Sequence, residues 1–524
     1  MGRKILFITT DQQRYDALGC NGGTVARTPV VDRLAATGIN YRRAHNQNVV
    51  CMPARSTMLT GQYVRTHGVV ANGVALPMDA PSVAAHLNAH GYRTALLGKA
   101  HFDPAFDMGG RWFENRMARE GSTGPHRGFD HMELAMHSPI GGWHYSLYLQ
   151  REHPDETAGF ATLLSAKGGG DTGAPEVAYN PIPREHYHTD WVADRTIAYL
   201  DSLPADADWF VWMSFPDPHH PWDPPASEAR RVRWQDLDLP PGHPGSPEKI
   251  VEILAQKPRH WLDWWEGRFR NNEGGPMSFV PSRLTDDQIR EVNALTHVEN
   301  ELIDEACGRV MRRIAERGWD ADTDVVFTTD HGELQGDYGL LYKGPYHVDS
   351  LMRLPFVWRP APSAGVTPAV ITEPVGQLDL APTFCQIAGV PIPEWVQGKP
   401  LPTAPGSDRQ RVLTEWDSQF REIGMHLRTI YRDGFICTVY EPTTRDYGVE
   451  LTKLLKAFGS KRAAPDIRYD GSEGELYDVT ADPHQWRNLW NDPGYAKLRS
   501  DLVADLYDSL PAPRQPQLPV DTFA

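Results

Sequence analysis

The sequence predicts an α/β protein built on a large, mostly parallel sheet flanked by helices, with a smaller unit at its C-terminal end. Three observations predict it. Continuous apolar, β-branched runs of the kind buried on both faces recur before residue 410. Helical patterns with their own start and stop signals lie between them. After about residue 410 the pattern changes to shorter strand-like pieces such as Gly434-Phe435-Ile436-Cys437-Thr438-Val439-Tyr440. A chain of 524 residues is long for one core, which fits one large domain with a smaller one appended.

The first run, Lys4 to Thr10, reads as a central strand and ends in Asp11-Gln12-Gln13-Arg14. Thr28 to Gly38 then reads as a helix with a threonine cap, proline at its start and glycine at its end. In Val49 to Gly61, Pro53 suits a first helical turn and Gly61 a left-handed stop, so Cys51 falls at or just before a helix N-terminus. Unpaired backbone N–H groups there favour an anion, so an acidic, nucleophilic Cys51 is expected, with Arg55 one turn further on to hold a developing negative charge. The competing reading is a buried structural thiol.

Tyr92 to Leu97 reads as a second strand running into Gly98-Lys99-Ala100-His101. Trp209 to Phe215 runs into Pro216-Asp217-Pro218-His219-His220-Pro221, and Thr323 to Thr328 into Thr329-Asp330-His331-Gly332-Glu333. Four buried strands thus end in ionisable clusters. In an open parallel sheet the ligand crevice lies beyond the carboxyl ends of the strands, so these clusters are expected to converge.

Residues 105–185 and 222–283 are rich in Gly, Pro, Trp and charge with weak periodicity, and read as loop insertions that shape either substrate access or subunit contacts. Thr285-Asp286-Asp287-Gln288 is a capping box opening a long core-facing helix stopped by Gly318, on which His297 is a packing or surface residue. These boundaries give a catalytic domain over 1–409, a C-terminal subdomain over 410–510 and a proline-rich tail over 511–524, either disordered or an arm lying on a neighbour.

The net charge of −16 argues against nucleic-acid or anionic-membrane partners, so an anionic substrate needs a local positive pocket. Five scattered cysteines without metal-ligand spacing give no disulfide framework. No apolar run reaches the roughly 18 residues of a membrane span, and the N-terminal run lacks a signal peptide's form, so a cytoplasmic location is expected.

Cys51-Met52-Pro53-Ala54-Arg55 followed by Leu59-Thr60-Gly61 resembles the signature of the type I sulfatases, within the alkaline phosphatase superfamily. Glu475-Leu476-Tyr477-Asp478 with Asp482-Pro483 and Asn488-Leu489 resembles the family's C-terminal subdomain, a small antiparallel sheet and a helix packed on the main domain. The resemblance implies that a maturation enzyme oxidises Cys51 to formylglycine, whose hydrated aldehyde is the nucleophile. It implies one divalent metal held by Asp11, Gln12, Asp330, His331 and residue 51. Mostly oxygen ligands favour Ca²⁺, and the imidazole leaves Mn²⁺ open.

By the same resemblance Arg55 and Lys99 stabilise the nucleophile, Lys343 contacts the transferred group, His219 assists leaving-group departure and His101 is the base that regenerates the aldehyde. Asn72 either contacts substrate or makes a turn, and Trp222 and Asp223 are expected to shape or charge the leaving-group pocket. The Asp-Gln and Asp-His pairs look like those of choline sulfatases and phosphonate monoester hydrolases. The implied function is hydrolysis of small aryl or alkyl sulfate esters, with phosphonate monoesters or phosphodiesters as the alternative; a noncatalytic anion-binding protein is the reading from a different class. Homo-oligomers, dimer or tetramer, are also implied.

Overall fold

The four apolar runs become strands of one eight-stranded sheet in the structure, a computed structural model that describes residues 2–105, 111–137, 141–165, 169–269, 271, 273, 275–276, 279–442, 448–457, 466–520 and 522. The strands are β1 (Lys4–Thr10), β2 (Ile39–Tyr41), β3 (Arg93–Gly98), β4 (His131–Leu134), β5 (Trp209–Ser214), β6 (Thr323–Thr329), β7 (Phe356–Arg359) and β8 (Ala369–Ile371). In space they run β8-β2-β7-β6-β1-β5-β3-β4, all parallel to their neighbours except β7, which is antiparallel to β2 and β6. The register levels their carboxyl ends: Thr9 lies opposite Ser214 and Thr328, and Gly98 opposite Ser214. Asp11, Lys99 and Asp330 therefore leave the sheet along one edge.

Side chains alternate between the two faces, and each face is covered by helices. Ile5, Phe7, Leu96, Phe210 and Trp212 pack with Met52 and Met58 of α2 (Cys51–Thr60) and with Phe384 of α7 (Leu380–Ala388). Leu6, Ile8, Val211, Met213, Val325 and Phe327 pack with α1 (Pro29–Thr37), α5 (His188–Ser202) and α6 (Asp286–Glu316). Two further helices, α3 (His144–Glu152) and α4 (Pro154–Ser165), lie in the first insertion. The capping box forms at α6: Thr285 Oγ1 accepts from Gln288 N at 3.2 Å, and Gln288 Oε1 accepts from Thr285 N at 3.0 Å.

Some sequence expectations are corrected. Thr28 does not cap α1, because its hydroxyl accepts from Gly19 N and donates to Asp32. The Asp304 carboxylate of α6 takes the orphan N–H groups of Val30 and Val31 instead, at 3.0 and 2.9 Å. The first insertion is not all loop, for it carries edge strand β4 as well as α3 and α4, and the second carries short helices Pro247–Leu254 and His260–Trp265. Residues 166–168, 272 and 274, within the glycine-rich segments of these insertions, lie outside the described residues.

The C-terminal region forms a second, antiparallel sheet of β9 (Arg411–Asp417), β10 (His426–Arg432), β11 (Phe435–Tyr440) and β12 (Gly474–Asp478), in that order. Leu502 and Leu506 of α8 (Ala496–Ser509) close over its Leu413, Ile430, Cys437 and Leu476. This sheet buttresses the segment before Cys51: Thr414 Oγ1 donates to Asn46 O at 2.7 Å and Glu415 N to Gln47 O at 2.9 Å. The described tail lies on its own chain, with Arg514 N donating to Arg65 O at 2.6 Å and Leu518 and Val520 against the main apolar cluster. All five cysteines are free. Among the described residues no helix is long and apolar enough to cross a membrane.

Candidate active site

Cys51 opens α2, whose start is held by Asn72 Oδ1 accepting from Met52 N at 3.1 Å. Its Sγ lies 3.1 Å from His331 Nε2 and 3.7 Å from Asp11 Oδ1. One turn on, Arg55 is fully buried and spans three strand ends. Its Nε donates to Asp330 Oδ2 at 2.9 Å and its Nη1 to Lys99 O and Ser214 Oγ, both at 2.9 Å, while Nη2 lies 3.6 Å from Asp11 Oδ2. Lys99 Nζ donates to Asp11 Oδ2. Burial pushes the Asp11 carboxyl up, but Lys99 and Arg55 outweigh it and hold the group well below the usual carboxylate range.

Opposite Cys51, Lys343 Nζ donates to Gln12 Oε1 at 2.7 Å and lies 2.9 Å from His219 Nε2. His219 Nδ1 bonds to the His220 carbonyl, so it carries the ring proton and leaves Nε2 as an acceptor for the Lys343 ammonium. Burial, reinforced by Lys343, depresses the His219 pKa well below its ordinary value and keeps the ring neutral. His101 is 7% exposed, and neither ring nitrogen has a partner among the described residues. Burial and then Lys99 hold it neutral as well. Gln12, His101 and Tyr342 all have positive φ, at 64°, 58° and 73°, a strained region for such residues that the surrounding packing enforces.

Every sequence-derived site residue except two falls in this one region. Trp222 and Asp223 back the site rather than line it. Trp222 is buried and stacks on Tyr342 with ring centroids 5.5 Å apart, and Asp223 accepts from Asn180 Nδ2 at 3.1 Å. The expected acidity of Cys51 is also corrected: burial, followed by the Asp11 carboxylate, pushes the thiol up to about 12. The helix start favours an anion, but a fully desolvated sulfur beside a carboxylate does not ionise easily.

Three residues enter that sequence reasoning did not single out. His137 Nε2 lies 3.1 Å from Lys99 Nζ and its ring stacks on His219 at 4.2 Å. Glu273 accepts from Asn72 Nδ2 at 3.2 Å. Glu333 accepts from Gln12 Nε2 and from the Tyr342 backbone N–H, which fixes the turn carrying Lys343. His137 follows β4, so the rule that strand ends bear the site would have found it had β4 been legible.

The family model for sulfatases matches residues 3–390. This chain belongs to the sulfatase family. Its large sheet with a C-terminal antiparallel appendage is the alkaline phosphatase-like fold, as the sequence resemblance implied. An uncharacterized sulfatase of Escherichia coli strain K12, YidJ, is 26% identical, aligned over 98% of this chain and 88% of the relative. An arylsulfatase of Clostridium perfringens strain 13 is also 26% identical, over 97% of this chain and 95% of the relative. In fold, the chain is similar to the crystal structure of a phosphonate monoester hydrolase of Agrobacterium radiobacter, with a TM-score of 0.72 and 22% identity over 97% of this chain and 95% of that one.

A divalent cation fits the donor set of this site. The ligand atoms of Asp11, Cys51, Asp330 and His331 all lie within 4.8 Å of one another. His331 Nδ1 bonds to Gly332 O at 2.9 Å, which fixes the tautomer and leaves Nε2 as an electron-pair donor aimed at the cluster. Burial pushes its pKa down to about 4, so the ring is neutral, as a ligand must be. The Gln12 amide oxygen accepts from Lys343 at 2.7 Å, and its amide nitrogen donates to Glu333.

Proposed function

We propose that this sulfatase-family chain hydrolyses singly charged tetrahedral esters, using a formylglycine made from Cys51 by a maturation enzyme and one divalent cation. The carrying observation is that Cys51 Sγ faces His331 and Asp11 while Arg55 and Lys99 bind that same carboxylate from behind. Asp11, Asp330, His331 and the Gln12 amide oxygen, with residue 51, hold the cation, with Ca²⁺ first and Mn²⁺ second on ligand chemistry. Once in place, the oxidised residue supplies an oxygen nucleophile and the cation supplies Lewis acidity.

The remaining residues position charge and move protons. Arg55 and Lys99 oppose the negative charge at residue 51, and Lys343 meets a non-bridging oxygen of the transferred group. The Lys343 ammonium, 2.9 Å from His219 Nε2, is the proton source for the leaving oxygen, and the neutral His219 orients it there by accepting its hydrogen bond. His101, neutral and unpartnered, is the base that takes the proton when residue 51 releases the product.

Sulfate monoesters, phosphonate monoesters and phosphodiesters all carry one negative charge at a tetrahedral centre, and the site is offered to that class. The Lys99 and His101 pair supports the sulfate reading. The likeness of fold to a phosphonate monoester hydrolase supports the phosphonate reading, and the Asp-Gln and Asp-His metal pairs, which resemble those of choline sulfatases and of phosphonate monoester hydrolases, fit either. Turnover of nitrophenyl sulfate, a phenyl phosphonate ester and doubly charged nitrophenyl phosphate by purified protein tests both readings. The first two are expected to exceed the third, and their ratio assigns the main substrate. Mass spectrometry of the Cys51 peptide is expected to show the aldehyde. Unchanged turnover in Cys51→Ala would overturn the proposal.

A further inference from the structure

Outside the catalytic centre, His153, Glu156 and His186 each offer one ligand atom, and the three atoms lie within 4.8 Å of one another. His153 precedes α4, Glu156 lies in its first turn, and His186 lies in the turn Arg184–His186 that leads into α5. The trio thus bridges the first insertion and the main domain. Both Glu156 carboxylate oxygens are 3.0 Å from His186 Nδ1, His153 Nδ1 is 3.7 Å from Glu156 Oε1, and the two imidazole rings are tilted by 31° with centroids 3.6 Å apart. Ligands about 2.0–2.1 Å from a tetrahedral zinc stand roughly 3.4 Å from one another, so this spacing needs little adjustment.

Two further features point to a cation. The outer nitrogen of His153 lies 3.0 Å from the Tyr148 hydroxyl, the kind of hydrogen bond that orients a metal-binding imidazole. Burial, then the carboxylates Glu156, Asp194 and Glu152, raise the Tyr148 pKa against the opposing pull of Arg195. The nearby guanidiniums are committed elsewhere, Arg195 to Glu133 and Arg309 to Asp190 and Asp194. Side-chain exposures of 23% for each histidine and 24% for Glu156 leave a face open to water as a fourth ligand.

We propose that His153, Glu156 and His186 form a second metal site, selective for a borderline divalent ion such as zinc, that staples α4 to the turn before α5. Two imidazoles and one carboxylate suit zinc better than the oxygen-rich catalytic site does. The test is calorimetric titration of the full chain with zinc, comparing wild type with His186→Ala and His153→Ala, since the catalytic site is common to all three. Each variant is expected to lose one zinc equivalent, or to bind it at least about tenfold more weakly, and Tyr148→Phe to weaken it by about tenfold. Zinc is expected to raise the melting temperature of wild type by an increment that His186→Ala lacks. Equal stoichiometry and affinity in wild type and His186→Ala would overturn the site. Should an alanine variant fail to fold, the near-isosteric Glu156→Gln decides by the same comparison.

Discussion

Arg55 holds more of the site together than one charge suggests. Its fork joins the Asp330 carboxylate, the Lys99 carbonyl and the Ser214 hydroxyl, and it faces Asp11, all without solvent. A lysine keeps the charge but not the planar set of donors. Arg55→Lys is therefore expected to leave Asp330 underpaired, costing roughly 3–5 kcal/mol in urea unfolding and lowering kcat sharply. An unchanged unfolding midpoint would show that the fork is dispensable. His137 is the complementary case: it touches Lys99 and His219 at the rim. His137→Ala is expected to lower kcat with little change in melting temperature; equal losses of both would make the residue structural.

At the scale of elements, the end of β3 sets the position of Lys99. Gly98 has φ of 110°, and a Cβ built there would stand 1.8 Å from the Ser214 carbonyl oxygen, the atom that accepts from Lys99 N at 2.9 Å. Gly98→Ala thus strains the backbone and pries β3 from β5. The expected result is a lower melting temperature, beyond the roughly 1–3 kcal/mol of one strained residue, together with lost turnover. Thr285→Ala is the control, since it removes one end of an exposed capping box whose side chains bond to none of the site residues, and it is expected to cost about 1 kcal/mol with kcat unchanged. The same scale shows what the sequence makes legible. Strands β1, β3, β5 and β6 are buried on both faces, so their apolar runs are unbroken and their ends point at Asp11, Lys99, His219 and Asp330. Strand β4, His-Met-Glu-Leu, is a four-residue edge strand whose Glu133 pairs directly with Arg195 at 2.7 Å, and nothing in its pattern separates it from the loop around it. His137 was hidden with it. Glu273 and Glu333 act through contacts distant in sequence, to Asn72 and to Gln12 and Tyr342, which no local spacing encodes.

Over the whole molecule, buried neutral histidines tie stability to pH. Burial pushes His45, His67, His260 and His347 down to about 3, and all four lie away from the proposed metal ligands, on either side of the join between the two sheets. Their folded pKa is below the unfolded value near 6.5, so as pH falls the unfolded chain takes up protons first. Stability is then lost between about 6.5 and about 3, at roughly 1.4 kcal/mol per pH unit for each such group. Asp223 and Glu299 oppose this, because burial and mutual repulsion with Asp217 raise both, and a raised carboxyl contributes stability that fades as pH rises. The histidine share is therefore expected to lower the urea midpoint as pH falls from 6.5 to 4.5, against raised carboxyls that also include Asp304, pushed up to about 6. His347 is the position to vary, because its Nδ1 bonds to the Thr429 hydroxyl of β10 while burial, then Arg428, keeps it neutral. His347→Asn keeps a hydrogen-bonding group there and removes the titration. It is expected to flatten the slope by about one group's share, and a slope identical to wild type would mean that the acid sensitivity arises elsewhere.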